Sequence, residues 1–518
     1  MKKFVLLIVL MMFSLAMQPV QAKAETILFV PADNRPVSLE YVVDTARNAG
    51  VNLLTPPNDL LGSRTSPGNP DALWDWVFNH SQEADAIVVS GDSMLYGSLV
   101  GSRKHNYSEE VLQQRMDRFA KLKQLNPFAP LYVYATIMRT SRASFGGVEP
   151  AYYEKYGPSI FQITALEDKS DLEPLSRSEQ SQLQTLLQTV PQEVMSDWMA
   201  RRAKNYKMDV RMINYTKNDT FDYLILGRDD CSPFSQSHKE SRLLSKVAQG
   251  LPTTRYTSFP GADQLGMLLV TRAINNLNWQ LPFIQVKYAP GAGPETVPTY
   301  EDKELGETIP EQITAAGGIM LQNAVHPDLI LEVNTPANGK TLEAGNPVNQ
   351  NPKHAKTTVF TERIGQELTS GANIAVADVA FANGADNALM DELDHQKLLP
   401  KLAAYSGWNT AGNTIGYAIG QGILAAGTEP AAKDRLLAVR LLDDWAYQAN
   451  IRNQISDSVL SPLGGSPFYL NGLAPQITAE TQRKMQNFAT DKLQDFDIHD
   501  LKVTYPWNRM FEVNIELK

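Results

Sequence analysis

Short polar clusters rich in aspartate and arginine follow apolar, strand-like runs again and again along this chain. The run 27–30 ends in Asp33-Asn34-Arg35-Pro36, and the run 86–89 ends in Ser90-Gly91-Asp92-Ser93. The run 223–226 meets Gly227-Arg228-Asp229-Asp230, and 256–260 meets Gly261-Ala262-Asp263. In the second half, 374–377 reaches Asp378, with Asn383-Gly384-Ala385-Asp386 close behind, and 402–405 reaches Ser406-Gly407-Trp408-Asn409-Thr410. Paired carboxylates supply a general acid together with a nucleophile or base for glycosidic cleavage, or oxygen ligands for Mg²⁺ or Ca²⁺. Asp229 and Asp230 are the sharpest such pair, because neighbours in extended chain face opposite ways. One of them can enter a cleft while the other braces its loop. Asp92 and Asp378 are the candidate catalytic partners, Asp378 because a charge directly after so apolar a strand calls for pairing or function.

The residues around these carboxylates suggest ligand binding. Asp33, Asn34 and Arg35 can hold a hydroxyl-rich ligand, and Arg103 and Arg228 are placed to neutralise Asp92 and the aspartate pair. Asp263, Asn383 and Asn409 add hydrogen-bonding groups, and Trp408 offers a ring for stacking on a sugar. Each has a plainer structural reading: a stiffened loop at Asp33 to Pro36, a helix cap at Asp263, a turn at Asn383-Gly384, a buried ring at Trp408. Asp443-Asp444-Trp445, inside a long helical stretch, reads as solvated face plus core.

Other chemistries lack their residues. The Gly91 to Gly97 segment has no P-loop lysine with its Ser/Thr, and no G-x-G-x-x-G, H-E-x-x-H or G-x-S-x-G occurs. Cys231 is the single cysteine, so no intramolecular disulfide and no paired-thiolate zinc site can form. His326 and His354 stand alone. No metal or cofactor is required, although Mg²⁺ or Ca²⁺ would suit the same aspartates. A net charge of −10 argues against nucleic acid as the main partner.

The elements that must position these residues alternate. Strands at 26–31, 51–55, 86–90 and 131–136 are separated by helices over 38–48, 72–79 and 108–124, the spacing of βαβ crossovers and parallel sheets. Residues 150–218 interrupt the rhythm with a helical insertion, read as a lid over the strand ends. Strands at 221–226 and 254–258 and a helix over 263–276 follow. The Pro-, Gly- and acid-rich segment 290–310 marks a boundary, beyond which strands are expected near 318–322, 328–333, 373–378 and 402–405. The domains are therefore 25–285, 286–430 and a helical region 431–518. The fold class is α/β, two Rossmann-like lobes facing across a cleft, with a (β/α)₈-like barrel as the alternative. In such folds loops at the strand carboxyl ends build the site.

Met1-Lys2-Lys3, the apolar run 4–17 and small residues at Ala22 and Ala24 form a secretory signal peptide (1–24), cleaved after Ala22 or Ala24. The mature protein is expected outside the cytoplasm, secreted or periplasmic, with no membrane span.

The ordered series PADNRPVS, LLGSRTSPG, VVSGDSMLYGSLVGSR, LGRDD, PGADQ, VADVAFANGAD and YSGWNTAGNTIG resembles the bacterial domain of unknown function 4127 family over residues 26–512. The resemblance marks Asp33, Arg35, Asp92, Arg103, Asp229, Asp230, Asp263, Asp378 and Asn409 as matching positions and assigns none of them a role. An exported hydrolase acting on carbohydrate or cell-envelope glycan is the expected function. A non-catalytic sugar-binding protein and a metal-dependent phosphoesterase are the alternatives.

Overall fold

The computed structural model describes residues 24–323, 325–350 and 355–517. The expected signal peptide, as far as Lys23, and His354 lie outside the described residues. Among the described residues no helix is long and apolar enough to cross a membrane.

Two open parallel sheets organise the chain. The first comprises β1 (Thr26–Val30), β2 (Asn52–Leu54), β3 (Ala86–Ser90), β4 (Leu131–Ile137), β5 (Tyr223–Arg228) and β6 (Tyr256–Thr257), in the order β2-β1-β3-β4-β5-β6. Beyond it come β7 (Phe283–Tyr288), β8 (Ile319–Met320), β9 (Leu329–Asn334), β10 (Leu342–Glu343), β11 (Ile374–Asp378), β12 (Phe381–Ala382) and β13 (Ala404–Ser406). The second sheet runs β13-β11-β9-β7-β8, while β10 and β12 pair separately. Both sheets thus share one topology: the second strand flanks the first on one side, and the third to fifth extend on the other. This is a doubly wound order, with a switch point between β1 and β3 and another between β7 and β9. Open edges at β2, β6, β8 and β13 rule out the barrel alternative.

Strands buried on both faces explain the uninterrupted apolar runs. Ile27 and Phe29 of β1 face one core, Leu28 and Val30 the other. The outer face of the first sheet packs on helices Pro70–His80, Glu109–Leu125 and Gln192–Lys217 through Trp74, Phe119 and Met212. Its inner face shares a continuous core with the inner face of the second sheet (Val286, Leu331, Ala375). Helices Glu40–Asn48, Leu265–Leu277, Leu305–Ala315 and Ala411–Leu424 supply the side chains of that shared core. The outer face of the second sheet is covered by Ala355–Thr369, Asn387–His395 and the C-terminal helices. The result is five layers, α/β/α/β/α, in which the two lobes are fused through their middle helical layer.

Three differences from the sequence reading follow. β7 already belongs to the second sheet, so the lobe boundary lies before Phe283, and the 290–310 segment is the connection after β7, running into the Leu305–Ala315 helix. Most of the 150–218 segment stands beyond β4, but its third helix, Gln192–Lys217, is the crossover onto β5: its Met208, Met212 and Ile213 complete the outer core. The C-terminal region is helical only to Lys492; it ends in a hairpin of β14 (Lys502–Thr504) and β15 (Asn514–Glu516).

Candidate functional site

Parallel pairing brings the C-termini of β1, β3, β4 and β5 to one edge, and four of the polar clusters meet there. After β1, the Arg35 guanidinium donates to both Asp33 oxygens and reaches across to Asp263 at 2.7 Å. Asp33, Arg35 and Asp263 are all buried. Burial alone would raise the Asp263 carboxyl, but Arg35 and the N–H groups of Trp408 and Asn409 outweigh it, and the net shift is downward. Asn34 is held by the indole N–H of Trp507 at 2.8 Å, and the same ring lies 5.3 Å from the Arg35 guanidinium. The C-terminal hairpin loop thereby closes over the first strand.

A second cluster forms a ring of alternating charge. Arg103, from the Leu99–Lys104 helix after β3, pairs with Asp229 and lies 3.6 Å from Glu149. Arg139, just past β4, pairs with Glu149 and with Asp230, each at 2.6 Å. The main chain between Asp229 and Asp230 completes the circuit. Two different arginines therefore hold the adjacent carboxylates apart. Asp230 takes φ of 34°, a conformation few residues other than glycine adopt and one that accumulates at functional sites. Its side chain keeps 26% of its surface open. Burial raises its carboxyl most, Arg139 pulls it back and Asp229 adds to the rise, leaving it at about 6.

Asp92 lies behind this ring. Its Oδ2 accepts from the backbone N–H and the hydroxyl of Thr136, both at 2.9 Å, while Oδ1 is buried without a partner. Burial pushes the carboxyl up to about 7, against the Thr136 bonds and Arg103.

Loops of the second sheet join the two clusters. Asn409 donates to Asp263 at 3.4 Å, and its carbonyl accepts from the N–H of Asn383. The Asn383 amide donates to Glu343, which also accepts from the Tyr300 hydroxyl at 2.6 Å. The Tyr300 carbonyl accepts from the N–H of Cys231, next to Asp230. Asn383 and Asn409 both adopt positive φ, 60° and 58°. Hydrogen bonds and the short 228–231 loop thus run from Asp33 round to Asp230, drawing residues of both lobes to one rim.

The remaining candidates have structural partners. Asp378 is fully buried: Oδ1 accepts from Asn334 and Oδ2 from the Asp386 N–H and the Tyr405 hydroxyl. It belongs to the second sheet's own network, beneath a cavity of about 590 Å³ lined by Asn334, Lys340, Phe381 and Asp386. Arg228 makes a bidentate bond to Asp302, whose side chain is only 2% exposed, and does not touch the aspartate pair. Trp408 is 1% exposed with its N–H committed to Asp263, which leaves no ring face for a sugar. Asp443 and Asp444 are buried rather than solvated. Within a π-helical stretch, Leu441–Ile451, they pair with Arg440, and Asp444 accepts the Gly407 N–H. Cys231 is buried, and burial followed by Asp302 pushes its thiol well above its ordinary range.

Sequence reasoning missed Arg139 and Glu149, which complete the ring. The signal was present: Leu131 to Ile137 runs into Arg139-Thr140-Ser141-Arg142, the same strand-then-cluster pattern as its neighbours. Among the described residues no group of three or more His, Cys, Asp or Glu is placed to hold a metal ion.

Residues 27–516 match the family described as protein of unknown function (DUF4127), and the chain belongs to it. No curated protein matches. Among solved structures, a C2-type ketoreductase from a modular polyketide synthase is similar at 10% identity, with 67% of this chain and 86% of that one covered and a TM-score of 0.15.

Proposed function

We propose that the protein is an exported hydrolase of carbohydrate or cell-envelope glycan, working through Asp229 and Asp230. The observation that carries the reading is the adjacent, partly open carboxylate pair, each member held by its own arginine, one carboxyl standing at about 6. Asp230 gives its proton to the glycosidic oxygen. Asp229, paired with Arg103, attacks the anomeric carbon or takes a proton from the attacking water. Carboxyl separation selects between these two courses: about 5–5.5 Å for retention and about 6.5–9.5 Å for inversion. Arg139, shared between Asp230 and Glu149, sets the acid's proton affinity and is a positioning residue.

The fused middle layer favours this reading over solute binding, which asks for two lobes that swing about a hinge. The phosphoesterase alternative needs three or more converging carboxylates, whereas the charged ring spends its carboxylates on arginines. Export rests on the basic and apolar N-terminal residues. The test is reducing-end release by the secreted protein from a panel of cell-envelope and storage glycans. Asp229→Asn and Asp230→Asn should each lower release at least about a hundredfold on a responsive glycan. Undiminished release by both variants sinks the assignment.

A further inference from the structure

The segment LLGSRTSPG plays no part in the charged ring, yet it builds one wall of a cavity of about 540 Å³. The opposite wall is the Leu99–Lys104 helix and the turn after it, through Gly101, Lys104, His105 and Tyr107. Loop and helix meet with no room to spare: a Cβ on Gly62 would lie 2.1 Å from the Cβ of Ser98. Arg64 is anchored by Nε to the Gly146 carbonyl and by Nη1 to the Trp507 carbonyl, while its Nη2 is buried without a partner. Two more buried polar atoms of lining side chains lack partners, Tyr96 OH and His105 Nδ1. Such groups are rare in folded proteins and costly to leave unpaired.

The charge of the lining is one-sided. Arg64 and the exposed Lys104 contribute cations, and no Asp or Glu lines the cavity, in a chain whose net charge is −10. Burial first, against the hydrogen bond that Nε2–H donates to the Asn205 amide oxygen, brings the His105 imidazole down to about 4, so it meets a ligand as a neutral ring. Tyr96, His105 and Tyr107 stack in series at 4.7 and 5.7 Å, giving the cavity an aromatic wall. Arg103, on the same helix as Lys104, reaches Asp229, so cavity and charged ring share one short element.

We propose that this cavity binds an anionic sugar unit, its carboxylate or phosphate held by Arg64 and Lys104 and its ring resting on the half-buried edge of Tyr107. The sugar part rests on the glycan reading above; the anion part rests on the cavity alone. It makes the preferred glycan an acidic one.

The test is equilibrium binding to the secreted protein, with no turnover required. The probes are glucuronate, glucose 6-phosphate, glucose and inorganic phosphate. Glucuronate or glucose 6-phosphate should bind at least tenfold more tightly than glucose, and the better of the two tells carboxylate from phosphate. Lys104→Glu, at an exposed site, should weaken that binding at least tenfold with an unchanged melting temperature; Arg64→Met should do the same if it folds. Glucose binding as tightly as the acids overturns the anion site, and phosphate alone binding as tightly as glucose 6-phosphate overturns the sugar site. Absence of binding by both acidic sugars, or binding indifferent to Lys104→Glu, overturns the proposal altogether. Loss of hydrolysis in the aspartate variants with acid-sugar binding retained bears only on the catalytic reading.

Discussion

Replacing Asp92 with asparagine should make the stability of this protein less dependent on pH, and the size of the effect follows from the burial of one carboxyl. Asp92 is 1% exposed, and its carboxyl rises from an ordinary 3.8 to about 7. Because the folded state holds this proton more tightly than the unfolded chain, the folded state carries more bound protons between these values. Its contribution is fully present below about pH 4 and is lost as pH rises through about 7. At 1.36 kcal/mol per pH unit, the part lost between pH 5 and pH 8 is about 3 kcal/mol. Asparagine keeps an acceptor for the Thr136 N–H and hydroxyl but places an amide N–H₂ where Oδ1 has no partner. That unpaired donor costs about 1–3 kcal/mol at every pH. Urea unfolding at pH 5 and pH 8 separates the two terms: relative to wild type, Asp92→Asn should gain about 3 kcal/mol on going from pH 5 to pH 8. An equal difference at both pH values would mean that Asp92 is ionised in the fold and paired with Arg103, and the burial argument would be refuted.

Arg35→Met should destabilise by about 3–5 kcal/mol, because it strands two buried carboxylates, Asp33 and Asp263. Since Arg35 helps hold the Asp263 carboxyl below its ordinary range, wild type enjoys that stability above about pH 4 and loses it in acid; the gap between variant and wild type in unfolding free energy should narrow below pH 4. Arg139→Met removes the cation that pulls Asp230 down, so the alkaline limb of the pH–rate profile for hydrolysis should move upward from about 6; an unmoved limb would separate Asp230 from the acid role. Cys231, 4% exposed with its thiol pushed up, should react with a disulfide reagent only on unfolding, and prompt labelling of the native protein would contradict its burial.

The alternation of buried strands and helices was legible because parallel strands covered on both faces carry unbroken apolar runs such as 27–30, 86–89 and 223–226. The edge at which their loops meet followed from topology. The division into two free lobes did not, because the helices Leu265–Leu277 and Ala411–Leu424 look like ordinary crossover helices, and nothing in their periodicity says that both sheets share them. Within the site, residue type showed which side chains were charged but not which partner each would take. Arg228 turns to Asp302, seventy-odd residues on, and Trp408 is drawn inward by Asp263. Such pairings depend on which loops cross, and loop paths are the part of a fold that local pattern constrains least. Asp443 and Asp444 were misread for the same reason: a helical stretch buried on all sides looks amphipathic until its covering partners, here Tyr41 and the Gly407 backbone, are known.

The central claim is that Asp230 donates the proton that releases the leaving group. An aryl glycoside with a strongly acidic phenol needs no such help, whereas a natural glycosidic oxygen does. The decisive measurement is kcat/KM of Asp230→Asn on both kinds of substrate sharing one glycone. The account predicts a loss of at least about a hundredfold on the natural linkage and less than tenfold on the activated one. Equal losses on the two, or none on either, would contradict it.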